Sequence, residues 1–266
     1  MNELGLYFRY IGVSIRGQLQ YRVSFVLYAL GHGLITFVEF LGILALFHRF
    51  GQLRGWTLPE TAVFYGIANM TMAISDAFAR GFDVFGNMVK AGDFDRLLVR
   101  PRSTVVQLMG QELTLRRVGR FAQGAAVLAW GLHSLHLAWS LATAILLIDA
   151  VAGGVCLLTG IWVLQATSAF WTTESLEVWN AFTYGGAFMS QYPVTIYRPW
   201  FRQFFTFVIP LACVNYFPVL AILHREDPLG SPEAFQWLAP LAGVAFLMVA
   251  LQVWKFGVRR YRSTGS

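Results

Sequence analysis

The chain has 266 residues, of which 56% are hydrophobic and only 13% charged, whereas a soluble domain carries roughly 25% charged residues. The apolar residues gather in blocks of about twenty, the length that spans ~30 Å of hydrocarbon as a helix, so the composition excludes a water-soluble globular protein and leaves one integral membrane domain. The net charge of +6 and pI near 9.6 do not point to nucleic acid, because the basic residues stand at the edges of apolar runs, where they meet lipid headgroups.

Residues 1–22 are amphipathic: Leu4, Leu6, Phe8, Ile11 and Ile15 alternate with Arg9, Arg16 and Arg22, and Tyr7, Tyr10 and Tyr21 suit the headgroup zone. This pattern predicts an interfacial helix. It lacks the apolar core and small-residue cleavage site of a signal peptide, so it is expected to stay. The first span covers about 23–47 and carries Glu39, a costly charge at that depth; such an acid either serves a path or is packed and snorkelled as a structural group. The second span covers about 58–79, with Pro59 suited to its first turn.

A compact charged stretch follows at 81–103, GFDVFGNMVKAGDFDRLLVRPRS. Its seven charges lie between strongly apolar segments, and the stretch is read as water-exposed and open to a partner outside the bilayer. Gly81, Gly86 and Gly92 divide it into short pieces, Pro101 discourages helix at Arg100, and Ser103 is suited to cap a new helix. That helix is amphipathic to about Arg117, with Glu112 and Arg116 four apart.

The third span is about 118–137 and the fourth about 139–171. The fourth is longer than crossing requires, so it tilts, breaks at Gly153–Gly154 or projects; Asp149 is its one acid and, like Glu39, a candidate for the translocation path or a structural group. His133 and His136 are three apart but lack a third metal ligand. Cys156 and Cys213 sit in apolar surroundings and read as small buried hydrophobes. Between 172 and 223 two stretches compete for the fifth crossing. Residues 175–192 are moderately apolar, whereas 201–223 are more apolar but carry Pro210, Asn215 and Pro218, which fit a broken, re-entrant segment. The last span is about 235–256, followed by a basic tail.

If 201–223 crosses, all of the 20 basic residues except Arg49, Arg54 and Arg225 fall on one side; if it is re-entrant, Arg198 and Arg202 join those three. Either choice places both termini and the 81–103 element in the cytosol. No phosphate loop, HExxH, GxSxG or CxxC pair is present. Nor is there a clear internal repeat of the kind many secondary transporters have.

Six spans, a basic amphipathic N-terminal helix and a charged element between spans two and three resemble the type-2 ABC exporter permeases. GDFDRLLVRP at 92–101 and YPVTIYRPWFRQFFTFVIPLACVNYFPVLAIL at 192–223 are similar to a bacterial branch labelled ABC-2 family transporter protein. The resemblance implies an all-α membrane subunit in the bacterial inner membrane. It would pair with a second permease chain and dock a separate ABC ATP-binding subunit, which carries the ATP and magnesium; this chain would hold no cofactor. It makes the 81–103 element a coupling helix. There Gly92, Asp93, Phe94, Asp95, Arg96, Leu97, Leu98, Arg100 and Pro101 would meet the ATPase, with Phe94, Leu97 and Leu98 filling its apolar pocket. It also favours 175–192 as the fifth crossing and 201–223 as re-entrant, and places Glu39 by the translocation path. The competing readings are an autonomous ion-coupled carrier using Glu39 or Asp149, and a membrane scaffold that transports nothing.

Overall fold

The computed structural model describes residues 3–111, 114, 117–137, 140–172, 176–228 and 230–261. Among these, the structure is helical throughout, with one isolated bridge between Leu53 and Trp56 as its sheet-like pairing. Helix α1 is Glu3–Gln20 and α2 is Arg22–Phe50. Helix α3, Leu58–Asp83, runs one turn beyond the expected second span. It starts cleanly because the Thr57 backbone N–H and hydroxyl both donate to Glu60 Oε2, at 2.7 and 2.8 Å, with Pro59 in the first turn.

Next come α4 (Phe85–Lys90), α5 (Phe94–Leu98) and α6 (Thr104–Gln111). Helix α7 is Val118–Ser134, α8 is Leu141–Ser168 and α9 is Leu176–Met189. The Glu112–Arg116 pair lies outside the described residues. Helix α8 runs unbroken through Gly153–Gly154, so of the sequence-based options for its length the break does not occur. A 3₁₀ turn at Val194–Ile196 leads into α10 (Pro199–Phe207), α11 (Leu211–Val214) and α12 (Tyr216–Ile222). The expected last span is two pieces, α13 (Glu233–Leu238) and α14 (Leu241–Arg260), divided at Ala239–Pro240 because proline returns no N–H to the preceding turn.

Helix α3 is the central element, buried on nearly every face and packed chiefly on α7 and α8. Helix α2 is an edge element instead. It buries only Thr36, Phe40, Ile43 and Phe47, a single stripe at i, i+4, i+7 and i+11, and leaves Leu27, Leu30, Leu34 and Val38 exposed. By length and composition α2, α8 and α14 are long and apolar enough to cross a membrane. The bent pair of Pro199–Phe207 with Leu211–Ile222, kinked by 72°, is a possible fourth.

Both ends of that bent pair reach the loop before α3. Ahead of it, Trp56 Nε1 donates to Thr195 Oγ1 at 3.0 Å and Arg54 to the Thr195 carbonyl at 3.3 Å. Behind it, Arg225 donates to Glu60 at 2.7 Å and to the Gly55 carbonyl at 2.9 Å, and stacks 4.0 Å over the Trp56 ring. The segment therefore leaves one end of the bundle and returns to the same end, as a hairpin does.

Helices α8 and α14 meet backbone to backbone, and a Cβ on Gly243 would land inside the Gly153 carbonyl. A carbonyl in a continuous helix cannot yield, so Gly243→Ala is expected to cost roughly 1–3 kcal/mol or more through overpacking. The measurement is the melting temperature of the purified chain, which should fall below wild type.

Candidate functional site

Two clusters of polar residues stand out, one within the bundle and one at its end. The internal cluster begins at Asp76, whose side chain is 2% exposed. Arg117 Nε, at the N-cap of α7, closes on Asp76 Oδ2, while Arg80 lies 3.4 Å from Asp76 and 3.1 Å from Asp83. Arg117 also contacts the His32 ring of α2 at 3.1 Å, Arg80 reaches the Tyr184 hydroxyl of α9 at 3.5 Å, and Gln165 of α8 donates to Asp83 at 3.0 Å. A single run of charge and amide thus joins five helices. Asp76, Arg80 and Asp83, four and three residues apart, lie along one face of α3.

A second branch lies further along the same seam. Arg120 donates to Asn69 Oδ1 at 2.9 Å, Asn69 donates to the Tyr65 carbonyl, and the Tyr65 hydroxyl donates to the Thr36 carbonyl of α2. Glu39 stands beside this branch within electrostatic reach of Arg120, Tyr65 and Tyr192. Its Oε2 is buried without a hydrogen-bond partner among the described residues. Asp149 is elsewhere, exposed on the outer face of α8 beside Ile145 and Ile148, and joins neither cluster.

The cluster at the end of the bundle is the 81–103 stretch, and its exposure differs from the sequence reading. Phe82, Phe85, Val89, Phe94 and Leu97 are buried, so the stretch gives five of its large apolar side chains to the core. Phe94, 0% exposed, packs 4.9 Å from Phe85, 5.6 Å from Phe170, 6.2 Å from Trp254 and 5.0 Å from Tyr261, ring centre to ring centre. Gln107 of α6 fastens the element from the other side through the Leu97 and Arg102 carbonyls, at 3.3 and 3.2 Å. Burial, and the neighbouring Asp95 carboxylate, push the Tyr261 phenol up from its ordinary pKa.

The expectation that Phe94 and Leu97 face a partner's pocket is therefore corrected: both side chains are consumed inside this chain. Leu98 (40% exposed) and Val99 (82%) face outward, together with Arg96, Arg100, Pro101 and Arg102. Asp93 is exposed and pairs with Arg96 at 3.3 Å, and Asp95 is half-buried. Gly92 makes the turn into α5 at φ +72°. Val99 was absent from the sequence-derived set, and its exposure next to two arginines is a tertiary property. Asp76, Arg117 and Arg120 were also missed as a site; the D-x₃-R-x₂-D spacing of Asp76, Arg80 and Asp83 was a sequence signal for its α3 side, and it does not extend to the two arginines.

An all-helical chain with long apolar spans and an ion-paired interior is a multi-pass membrane protein. The comparison with known families is specific: the family described as ABC-2 family transporter protein matches residues 34–265. The chain belongs to that family and is a membrane permease subunit of an ABC transporter, a class whose partner is an ABC ATP-binding subunit and which is not itself catalytic. No curated protein and no solved structure matches the chain.

The two clusters respond differently to loss of a charge. Asp76→Asn leaves Arg117 and Arg80 facing a neutral amide in the interior, and breaking a buried pair costs ~3–5 kcal/mol. Asp93→Asn breaks an exposed pair worth roughly 0–1 kcal/mol. Folded yield and melting temperature should drop for the first variant and stay near wild type for the second.

Proposed function

We propose that the chain is the permease subunit of an ATP-driven exporter, and that residues 92–101 dock a separate ATP-binding subunit which carries the ATP and magnesium. Helices α2, α3, α7, α8, α9 and the α13–α14 pair make six crossings of the bacterial inner membrane, with both termini and the 81–103 element in the cytosol. The α10–α12 hairpin enters and leaves from the outer side. A second permease chain, identical or a sibling, covers the exposed apolar face of α2, and Glu39 on that helix is assigned to the translocation path.

The observation that carries this reading is the division of labour in the 92–101 element. Phe94 and Leu97 root it in the bundle, next to the ends of α8 and α14. Leu98, Val99 and Pro101 stand out as an apolar knob ringed by Arg96, Arg100 and Arg102. An apolar centre with a charged rim is the anatomy of a docking hot spot, and the arginine rim fits an acidic groove on the partner. A push on the knob passes directly to the roots, because both lie on the same two turns.

The test is co-purification of the cognate ATP-binding subunit from lipid nanodiscs. Leu98→Ala/Val99→Ala should lose the ATPase by at least tenfold while keeping the wild-type melting temperature. Phe94→Ala should instead lower the melting temperature, since truncating a buried phenylalanine costs ~3–5 kcal/mol. Retention of the ATPase by a well-folded Leu98→Ala/Val99→Ala chain would sink the docking assignment.

A further inference from the structure

The hairpin is broken at a place where a break is difficult to accommodate. Between α11 and α12, Asn215 adopts φ −130° and ψ −60°. The residue that would return a helical N–H to the Val214 carbonyl is Pro218, which has none. The segment 211–222 is buried throughout, and it packs against α8, α14 and α3.

Two small cavities of about 10 Å³ each meet at this break, and both are lined by Ser190, Leu211 and Asn215. Asn215 Nδ2 donates to the carbonyls of Phe64 and Ser190, which fixes which way the amide faces. Its Oδ1 is left with no hydrogen-bond partner among the described residues, and the same holds for Thr71 Oγ1. Asn215 is 4% exposed and Thr71 6%, and both line the second cavity, whose remaining walls are largely apolar. Thr71 lies halfway along α3.

Two buried oxygens facing one small cavity are an unusual pair to leave unsatisfied, because each forfeits the hydrogen bonds it had in water. In the middle of a membrane bundle no bulk solvent can make good the loss. The cavity size is at the lower limit of the roughly 10–15 Å³ that one water requires. The unpaired side-chain oxygens of its walls are those of Asn215 and Thr71; Ser190 spends its hydroxyl on the Ala187 carbonyl, and Val214, whose carbonyl gets no N–H from Pro218, is a further lining residue. With no thiolate, imidazole or carboxylate among them, this set does not suit a transition metal.

We propose that the Asn215–Thr71 cavity binds one small guest that the site's oxygen atoms can hold, a water molecule or a monovalent cation of its size. The guest is held by Asn215 Oδ1, Thr71 Oγ1 and the Val214 carbonyl. It ties the broken turn of the hairpin to the centre of α3 and satisfies the oxygens that the break exposes. The site is separate from the charged element, and its occupancy does not depend on the transport reading.

Thr71→Val tests this by the sign of its effect. Valine has the shape of threonine without the hydroxyl, so the packing is preserved. If a guest bridges the two oxygens, the variant loses a ligand, and the melting temperature of the full-length chain in nanodiscs falls by about 2–4 °C, the shift for one net hydrogen bond in a chain of this size. Thr71→Ser, which keeps the hydroxyl, should stay closer to wild type. Measurement in NaCl, KCl and choline chloride at equal ionic strength separates the two guests. A water gives the same fall in all three salts. A cation raises the wild-type melting temperature in NaCl or KCl over choline, and Thr71→Val abolishes that rise. The proposal is overturned if Thr71→Val melts at or above wild type in every salt, the behaviour of a dry cavity relieved of an orphan hydroxyl. A fall for Thr71→Ser with Thr71→Val unchanged overturns it as well, because valine keeps the methyl that serine lacks.

Discussion

The carboxylate of Asp76 sets the register of this bundle. It is sealed from solvent and closes on Arg117 at the N-cap of α7 and on Arg80 of its own helix. Each arginine then makes a further contact, with His32 of α2 and with Asp83 and Tyr184. Shifting α3 or α7 by one turn, about 5.4 Å, would break the pairing and leave charge unpaired in a medium of low dielectric. Hydrophobic packing alone does not discriminate registers in this way, because an apolar helix can slide along an apolar neighbour at little cost. The ion pairs supply directional restraint, and the close backbone contacts between α8 and α14 supply shape.

The same helix that carries Asp76 continues without interruption into the charged stretch. Asp83, its last residue, is bonded to Gln165 of α8, and Phe85 and Phe94 follow within the aromatic cluster that includes Phe170 and Trp254. The outward knob at Leu98 and Val99 is therefore one turn from a rigid root, and that root touches the ends of α8 and α14. A loop of equal charge but without Phe94 inside the protein would lack that anchor.

Much of this was legible in the sequence, for identifiable reasons. The long apolar runs, Pro59, and the proline–asparagine breaks at 210, 215 and 218 are local signals, and the helices follow them closely. The assignment of Phe94 and Leu97 to the outside failed because charge density was read as exposure. In a stretch with seven charges, the apolar residues at 82, 85, 89, 94 and 97 still recur often enough to form an inward face. Which of Leu97, Leu98 and Val99 points inward depends on where Phe170 and Trp254 arrive, and those residues are about 70 and 155 positions further along. The partnering of Asp76 with Arg117 was hidden in the same way, since each residue alone reads as an ordinary charge near a span end. Glu39 and Asp149 looked alike in sequence, yet one stands beside a buried polar seam and the other faces outward.

The loop before α3 is made early in the chain, yet it closes its contacts late. Trp56 and Arg54 wait for Thr195, 139 and 141 residues further on, and Glu60 and Gly55 wait for Arg225, 165 and 170 residues further on. Chains are made from the N-terminus, and contacts so distant in sequence form only after much of the intervening chain is in place. The α10–α12 hairpin thus locks onto the loop before α3 only after most of the chain has been made. Until it does, the Trp56 ring and the Glu60 carboxylate stand without their final partners at the end of the bundle, a surface that distinguishes a finished chain from one still being assembled.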